Sequence, residues 1–313
     1  MNEVNAIIVD IPEKLDCESI TSVIANLNQY KKASSPKRLA INFAETKFVK
    51  PGGLTPLLAY LMELPKKIEN FRALIVPSMN EDVDLYISRM GFYSLLGLND
   101  DFPYQKRSSE GRFQELYSFS KNTNINEVGQ TSENIIKMFI RNKNLVNYNK
   151  AIGWCVSETI DNARNHANSD INIVFAQRFK EKGISEFCVC DRGVGIRETM
   201  GEIYVEEALK KCITKAKGIN STGMGNGLYY TSELIKQDTS GKCSMRIWSE
   251  NAILTIKSGG EPLIVKTHSY WQGVNIIISM YNNISTDLTE LKGGSDIFSY
   301  EENPDYYNSL FED

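Results

Sequence analysis

Two hydrophobic periods alternate along the first hundred residues. Residues 6–10, 38–43 and 72–77 are short apolar runs of strand type, whereas residues 17–32 place Ile20, Val23, Ile24 and Leu27 at helical spacing. Residues 53–64 and 81–90 also read as helices. Strands alternating with helices at this spacing predict a small α/β domain that ends near Leu98. Residues 100–127 are polar and irregular and read as a connection, with a solvated basic cluster at Lys106, Arg107 and Arg112.

Beyond the connection the pattern predicts helices over 133–141 and 148–166. In the second, Ile152, Val156, Thr159, Ile160 and Ala163 form one stripe, which leaves Glu158, Asp161, Asn162 and Asn165 on or beside the opposite face. Strands are expected over 171–179 and 185–191, joined by the turn-forming Lys180-Glu181-Lys182-Gly183. A helix over 228–236 precedes strands at 244–248, 253–257, 263–267 and 273–280, with a hairpin at Ser258-Gly259-Gly260.

Composition narrows the function classes. At 313 residues two domains are expected, and a net charge of −4 gives no basic footprint for nucleic acid. No apolar run approaches the roughly 20 residues a bilayer demands, and the start of the chain lacks an export signal, so a cytoplasmic protein without membrane contact is expected. The six cysteines are scattered; Cys188 and Cys190 share one strand face and read as packed side chains of a reduced protein. His166 and His268 complete no familiar ligand set, so no structural metal is expected. Residues 284–313 carry eight acidic residues against one lysine, yet also Phe298, Tyr300, Tyr306, Tyr307 and Phe311, and read as a tail that docks on this protein or on a partner.

Three short runs carry the chemistry. Glu158 and Asn162 lie four apart on one helix and so share a face, about 6 Å apart at Cβ. Asp191 closes an apolar strand and is followed by Gly193 and Gly195, and the loop Gly223-Met224-Gly225-Asn226-Gly227 precedes a helix. An amide oxygen suits Mg²⁺, a hard ion, while a neighbouring acid orients or deprotonates a nucleophile. A carboxylate at a strand end accepts a hydrogen bond from an exocyclic amine such as adenine N6. Glycines let the backbone approach a base, and free N–H groups at a loop-to-helix junction favour phosphates. The division of labour fits ATP.

In order and spacing, the runs Val156 to His166, Asp191-Arg192-Gly193-Val194-Gly195-Ile196 and Gly223 to Leu228 resemble the three boxes of the GHKL ATP-binding fold. This Bergerat α/β sandwich is shared by type II topoisomerases, MutL-type repair proteins, histidine kinases and anti-sigma-factor serine kinases. The resemblance spans roughly residues 126–280 and implies Mg²⁺ on Asn162, adenine on Asp191 beside Gly193 and Gly195, and phosphates under Gly223, Met224, Gly225, Asn226 and Gly227. It implies Glu158 as the base, as in the ATPases and serine kinases; histidine kinases commonly carry asparagine there. His166 also occurs in some serine-kinase members and reads as a packing residue. Residues 198–218 would form the lid, in which Lys215 and Lys217 are left open between a γ-phosphate contact and a solvated face. One departure stands out: the closing strand begins Gly273-Val274, where the family usually has a threonine that helps hold adenine.

The run Leu39 to Leu58 resembles the central strand, loop and helix of STAS domains, the fold of the anti-sigma-factor antagonists. Regulatory members carry Asp-Ser-Ser-Gly at the helix start, the second serine being the phosphate acceptor. Lys50-Pro51-Gly52-Gly53 stands there instead, which implies docking or dimerisation in place of phosphorylation.

The expectation is therefore an α/β protein with a STAS-like domain over 1–100, a connection over 101–125, a GHKL α/β sandwich over 126–283 and an acidic tail over 284–313. Expected function is Mg²⁺-dependent ATP hydrolysis or phosphoryl transfer in a regulatory protein with a protein partner, a homodimer being left open. The alternatives are a nucleotide-gated binding switch with little turnover, and a serine/threonine kinase acting on a separate partner.

Overall fold

The computed structural model describes residues 6–32, 38–69, 71, 73–98, 108–140, 146–214 and 227–282, and its class is mixed α/β. The first part runs β1 (Ala6–Asp10), β2 (Lys14–Leu15), α1 (Ile20–Lys32), β3 (Arg38–Asn42), β4 (Phe48–Val49), α2 (Pro51–Lys67), β5 (Ala73–Val76), α3 (Glu81–Arg89) and the single turn α4 (Phe92–Leu95). Strands β1, β3 and β5 make a parallel sheet in that order, and β2 pairs with β4. Parallel neighbours need long crossovers, which α1 and α2 supply.

The second part runs β6 (Phe113–Phe119), α5 (Ile125–Phe139), α6 (Val146–His166), β7 (Asn172–Phe179), β8 (Ile184–Asp191), α7 (Ile196–Met200), α8 (Val205–Cys212), α9 (Gly227–Gln237), β9 (Ser244–Lys257) and β10 (Leu263–Tyr281). Its five strands form an antiparallel sheet in the order β6-β7-β8-β10-β9. Two expectations need correction. The supposed irregular connection over 101–125 contains edge strand β6, paired with β7. The four strands expected after α9 are two long ones: Glu250, at φ 51°, faces Trp271 across a register shift, so Met245 and Ile247 before it and Ala252, Leu254 and Ile256 after it reach the same core despite their change of parity.

Alternation along the sheet builds two cores. Val174, Ala176, Phe187, Val189, Ile276 and Ile278 face α5, α6, α8 and α9. Ile173, Phe175, Cys190, Trp248 and Trp271 face the other way, into a core shared with Val9, Ile41, Leu54, Leu57 and Leu61 of the first part. Helices α1 and α2 pack on β7, β8 and β10, and so lie between the two sheets. Helix α2 is buried from Pro51 through Leu61 on every face, which requires a sequence apolar all round.

Its first turn shows what Lys50-Pro51-Gly52-Gly53 does. A Cβ on Gly52 would press on Cys17 and Ile277 at 3.1 Å, and one on Gly53 would meet the Leu15 backbone at 2.7 Å, so both glycines let the helix end approach its neighbours. Buried Glu186 of β8 accepts from the Gly52 N–H at 3.1 Å, from Lys50 Nζ at 3.2 Å and from the Ser279 hydroxyl at 3.1 Å. A carboxylate there meets the orphan N–H groups and positive end of the helix dipole. The segment thus seats α2 on the large sheet. No helix among the described residues is long and apolar enough to cross a membrane. The expected tail, residues 284–313, and lid lysines Lys215 and Lys217 lie outside the described residues.

Because one core joins the two parts, they should unfold together. Trp248 and Trp271 sit in the shared core and Trp154 on α6, so tryptophan fluorescence and far-ultraviolet circular dichroism should give one coincident urea transition. Phe175→Ala should lower the stability read from it by about 3–5 kcal/mol, the scale for deleting a buried aromatic ring.

Candidate functional site

The largest chemistry on the α6 side of the sheet gathers at the end of β8. Asp191 faces α6 rather than α2 because it shares the parity of Phe187 and Val189. It is buried, and its Oδ1 accepts from the Gly193 N–H at 2.9 Å. Burial pushes the carboxyl up to about 7, against the N–H groups of Gly193 and Val274 and the Arg192 charge, which favour its ionised form.

The turn after Asp191 is fixed by close approach. Val194 donates to the Ala167 carbonyl just past α6 at 2.9 Å, and any Cβ on Gly193 would fall inside that same carbonyl oxygen. Gly195 has φ +86° and Gly273 φ +98°, a region that favours glycine, and a Cβ on Gly273 would collide with Asp191. Ser249 ties these pieces together: its hydroxyl donates to the Gly273 carbonyl at 2.7 Å and accepts from the Ile196 N–H at 3.2 Å. Gln272 donates to the Gly193 carbonyl at 2.6 Å.

Above this loop lies a cavity of about 320 Å³, walled mainly by Ala163, Val189, Ile196, Met200, Leu228, Val274 and Ile276. Asn162, His166 and Thr159 reach it from α6, Asp191 and Gly195 from below, and Thr199 and Cys212 from α7 and α8. The Thr159 hydroxyl is held by the Cys155 carbonyl at 2.6 Å. An apolar slot lined by a buried carboxyl and an amide suits a flat heterocycle carrying an N–H donor.

Of the residues singled out from sequence, Asn162, Asp191 and Gly195 line one cavity, with Gly193 directly beneath. Glu158 does not line it. It lies one helical turn before Asn162, where Gly227 at the start of α9 packs so closely that a Cβ there would overlap Glu158 Cγ. Gly223, Met224, Gly225 and Asn226 lie outside the described residues. Val274, the position lacking threonine, lends its N–H to Asp191 and its side chain to the wall.

Sequence reasoning missed Ser249, Gly273 as a necessity rather than a strand start, and the α7 and α8 contributors. It also passed over Arg192. This side chain turns away from the cavity, donates from Nη2 to Glu63 Oε2 of α2 at 2.6 Å, and lies over the rings of Tyr60 at 4.8 Å and Trp271 at 4.4 Å. A lone charged residue between an acid and a glycine gives no periodic signal of that kind. No protein-family model matches this chain, and no curated protein matches it.

The upward shift of the Asp191 carboxyl makes stability depend on pH. Between about pH 4 and 7 the folded protein keeps a proton that the unfolded chain has lost, so this group's contribution to stability falls as pH rises through that window and stays lost above it. Asp191→Asn, which keeps an acceptor for Gly193 without a buried charge, should melt above the ligand-free wild type at pH 8. The gap should close towards pH 4. Thermal unfolding across pH 4–8 reads it, and a gap independent of pH would contradict the assignment.

Proposed function

We propose that residues 108–282 form a GHKL-type, Bergerat-fold ATP site and that the chain binds Mg²⁺-ATP to hydrolyse it or transfer its γ-phosphoryl group, with a STAS-like first domain. The observation that carries this reading is the buried Asp191 carboxylate, backed by Gly193 and Val274, set in the floor of an apolar cavity that has Asn162 at its edge. In this reading Asp191 accepts from the adenine amine, and the wall of Ile196, Met200, Leu228 and Ile276 excludes water from the ring faces. The ionised form makes the stronger acceptor.

The oxygen set suits Mg²⁺. Asn162 offers one amide oxygen, and a Mg²⁺ ion at a nucleotide takes its remaining ligands from phosphates and water, so a dedicated protein cage is not needed. When bound, the ion offsets charge on the phosphate oxygens. Glu158, on the same face of α6 one turn earlier, orients or deprotonates the attacking group.

A second reading, a nucleotide-gated switch that binds a regulatory protein partner with little turnover, is favoured by one observation. The loop after Asp191 is tied through Arg192 to α2 of the first domain. Lys50-Pro51-Gly52, at the helix start that would carry a phosphoacceptor in a regulatory STAS domain, is held by Glu186 of the large sheet, so this helix end docks within the chain. A serine/threonine kinase acting on a separate partner remains compatible with Glu158 as base.

Calorimetry with Mg²⁺-ATP should show one site per chain. Glu158→Gln should leave that affinity within about twofold and lower phosphate release or phosphoryl transfer by ~10²- to 10⁴-fold, the range for a general base. Undiminished turnover would remove Glu158 from the mechanism, and no binding to wild type would remove the reading itself. Phosphate alone marks an ATPase, labelled partner a kinase, and binding without either a switch.

A further inference from the structure

Directly behind the cavity floor lies a second polar cluster that the ligand reading does not use. Arg192 and Glu63 are both buried, their side chains 3% and 7% exposed, so the pair is formed out of water. Lys31 of α1 reaches the same Glu63 carboxylate at 3.3 Å. Burial pushes the Glu63 carboxyl up, but Arg192 and Lys31 outweigh that and hold it below its ordinary value. Arg192 Nε and Nη1 have no acceptor among the described residues, so the cation rests on one carboxylate and two aromatic faces. Tyr60, one of those faces, donates at 2.7 Å to Asn28, which in turn donates at 2.8 Å to the Tyr270 carbonyl on β10.

The chain neighbours of Arg192 give this cluster its reach. Asp191 precedes it, Gly193 follows it, and the Gly193 N–H orients the Asp191 carboxylate. The loop backbone is anchored within its own domain: Arg192 N–H on Ile171, Val194 N–H on Ala167, Ile196 N–H on Ser249. The Arg192 side chain ties the same loop to α2. A displacement of α2 therefore either pulls on the residue between Asp191 and Gly193 or strands a buried cation, and the second is strongly unfavourable.

We propose that Arg192 is a positioning residue for the cavity: by strapping the 191–195 loop to Glu63, it couples the seating of helix α2 to nucleotide affinity. The affinity half rests on the nucleotide reading above. The strap itself does not. Binding linkage is reciprocal, so nucleotide would tighten the hold of the loop on α2 by the same factor. Any change that unseats α2 would weaken nucleotide binding.

The test uses the full chain and three variants. Glu63→Gln keeps an acceptor of the same shape and removes the charge, and Arg192→Lys keeps the charge but loses the planar fork that stacks on Tyr60 and Trp271. Glu186→Gln weakens another polar link between α2 and the sheet, five residues before Asp191 on β8 and so about 17 Å away along the strand, and serves as the control for lost stability. Expected for Glu63→Gln and Arg192→Lys are Mg²⁺-ATP dissociation constants raised ~5-fold or more, the lower end of measured couplings, and faster amide exchange at 193–196 in the ligand-free protein. Glu186→Gln should lower the melting temperature yet keep the dissociation constant within about twofold. If Glu186→Gln weakens binding as much as the other two at equal loss of stability, Arg192 is only structural and the proposal falls. It falls equally if binding and loop exchange are unchanged in the two strap variants. Should Glu63→Gln fail to fold, Arg192→Lys decides alone. Wild type that binds no nucleotide overturns the nucleotide reading and the affinity half; unchanged exchange in Arg192→Lys then overturns the strap as well.

Discussion

Everything in this molecule depends on burying a helix on all sides. Helix α2 has no face to give to solvent along its first eleven residues, so it needs a cover from each sheet. The small parallel sheet supplies one and the α2-facing side of the antiparallel sheet the other. Neither sheet would keep that face dry alone, since Phe175, Trp248 and Trp271 on one and Ile41 on the other meet in a single core. The hydrophobic effect sets this arrangement without direction. Glycines 52 and 53, with Glu186 on the helix end, set the register.

How much of this was legible in the sequence follows from what each signal measures. Helical and strand periods located most of the longer elements, because a half-buried segment must place its apolar residues on one face, but the two-residue β2 and β4 and the short α4 and α7 are too brief to show a period. They could not say that the α2-facing side of the large sheet is covered by the first domain: the continuous apolar run Phe187-Cys188-Val189-Cys190 marks a strand buried on both faces but does not say what covers each. Strand β6 was overlooked because as an edge strand it keeps polar Gln114, Glu115 and Ser118. Helix α5 begins at Ile125 rather than near 133, where the Asn124 side chain accepts from the Asn126 N–H at 2.9 Å, and so its polar first turns read as loop.

The site was more legible than the fold around it, for a physical reason. Acids, amides and glycines serve chemistry and close approach, and both demand particular residues at particular spacings. Asn162, Asp191 and Gly195 accordingly meet at one cavity. The silent part was what steadies them. Ser249, Gln272 and Arg192 hold the loop through contacts spanning dozens of residues, and pairs so far apart leave no trace in local pattern.

The close fit of Gly227 on Glu158 has a consequence for how this chain can vary. A side chain at 227 has no room while position 158 carries its full Cβ and Cγ stem, and the remedy, a shorter residue at 158, would withdraw the acid from its place one turn before Asn162. The two positions are therefore coupled. Position 227 can gain a side chain only after 158 has shortened, whereas Gly227 sets no steric bar to a shorter residue at 158. Gly193 differs, because its obstacle is the Ala167 backbone, which no side-chain replacement can clear. Of these two glycines, one belongs to a negotiable pair and the other is fixed by the path of the main chain.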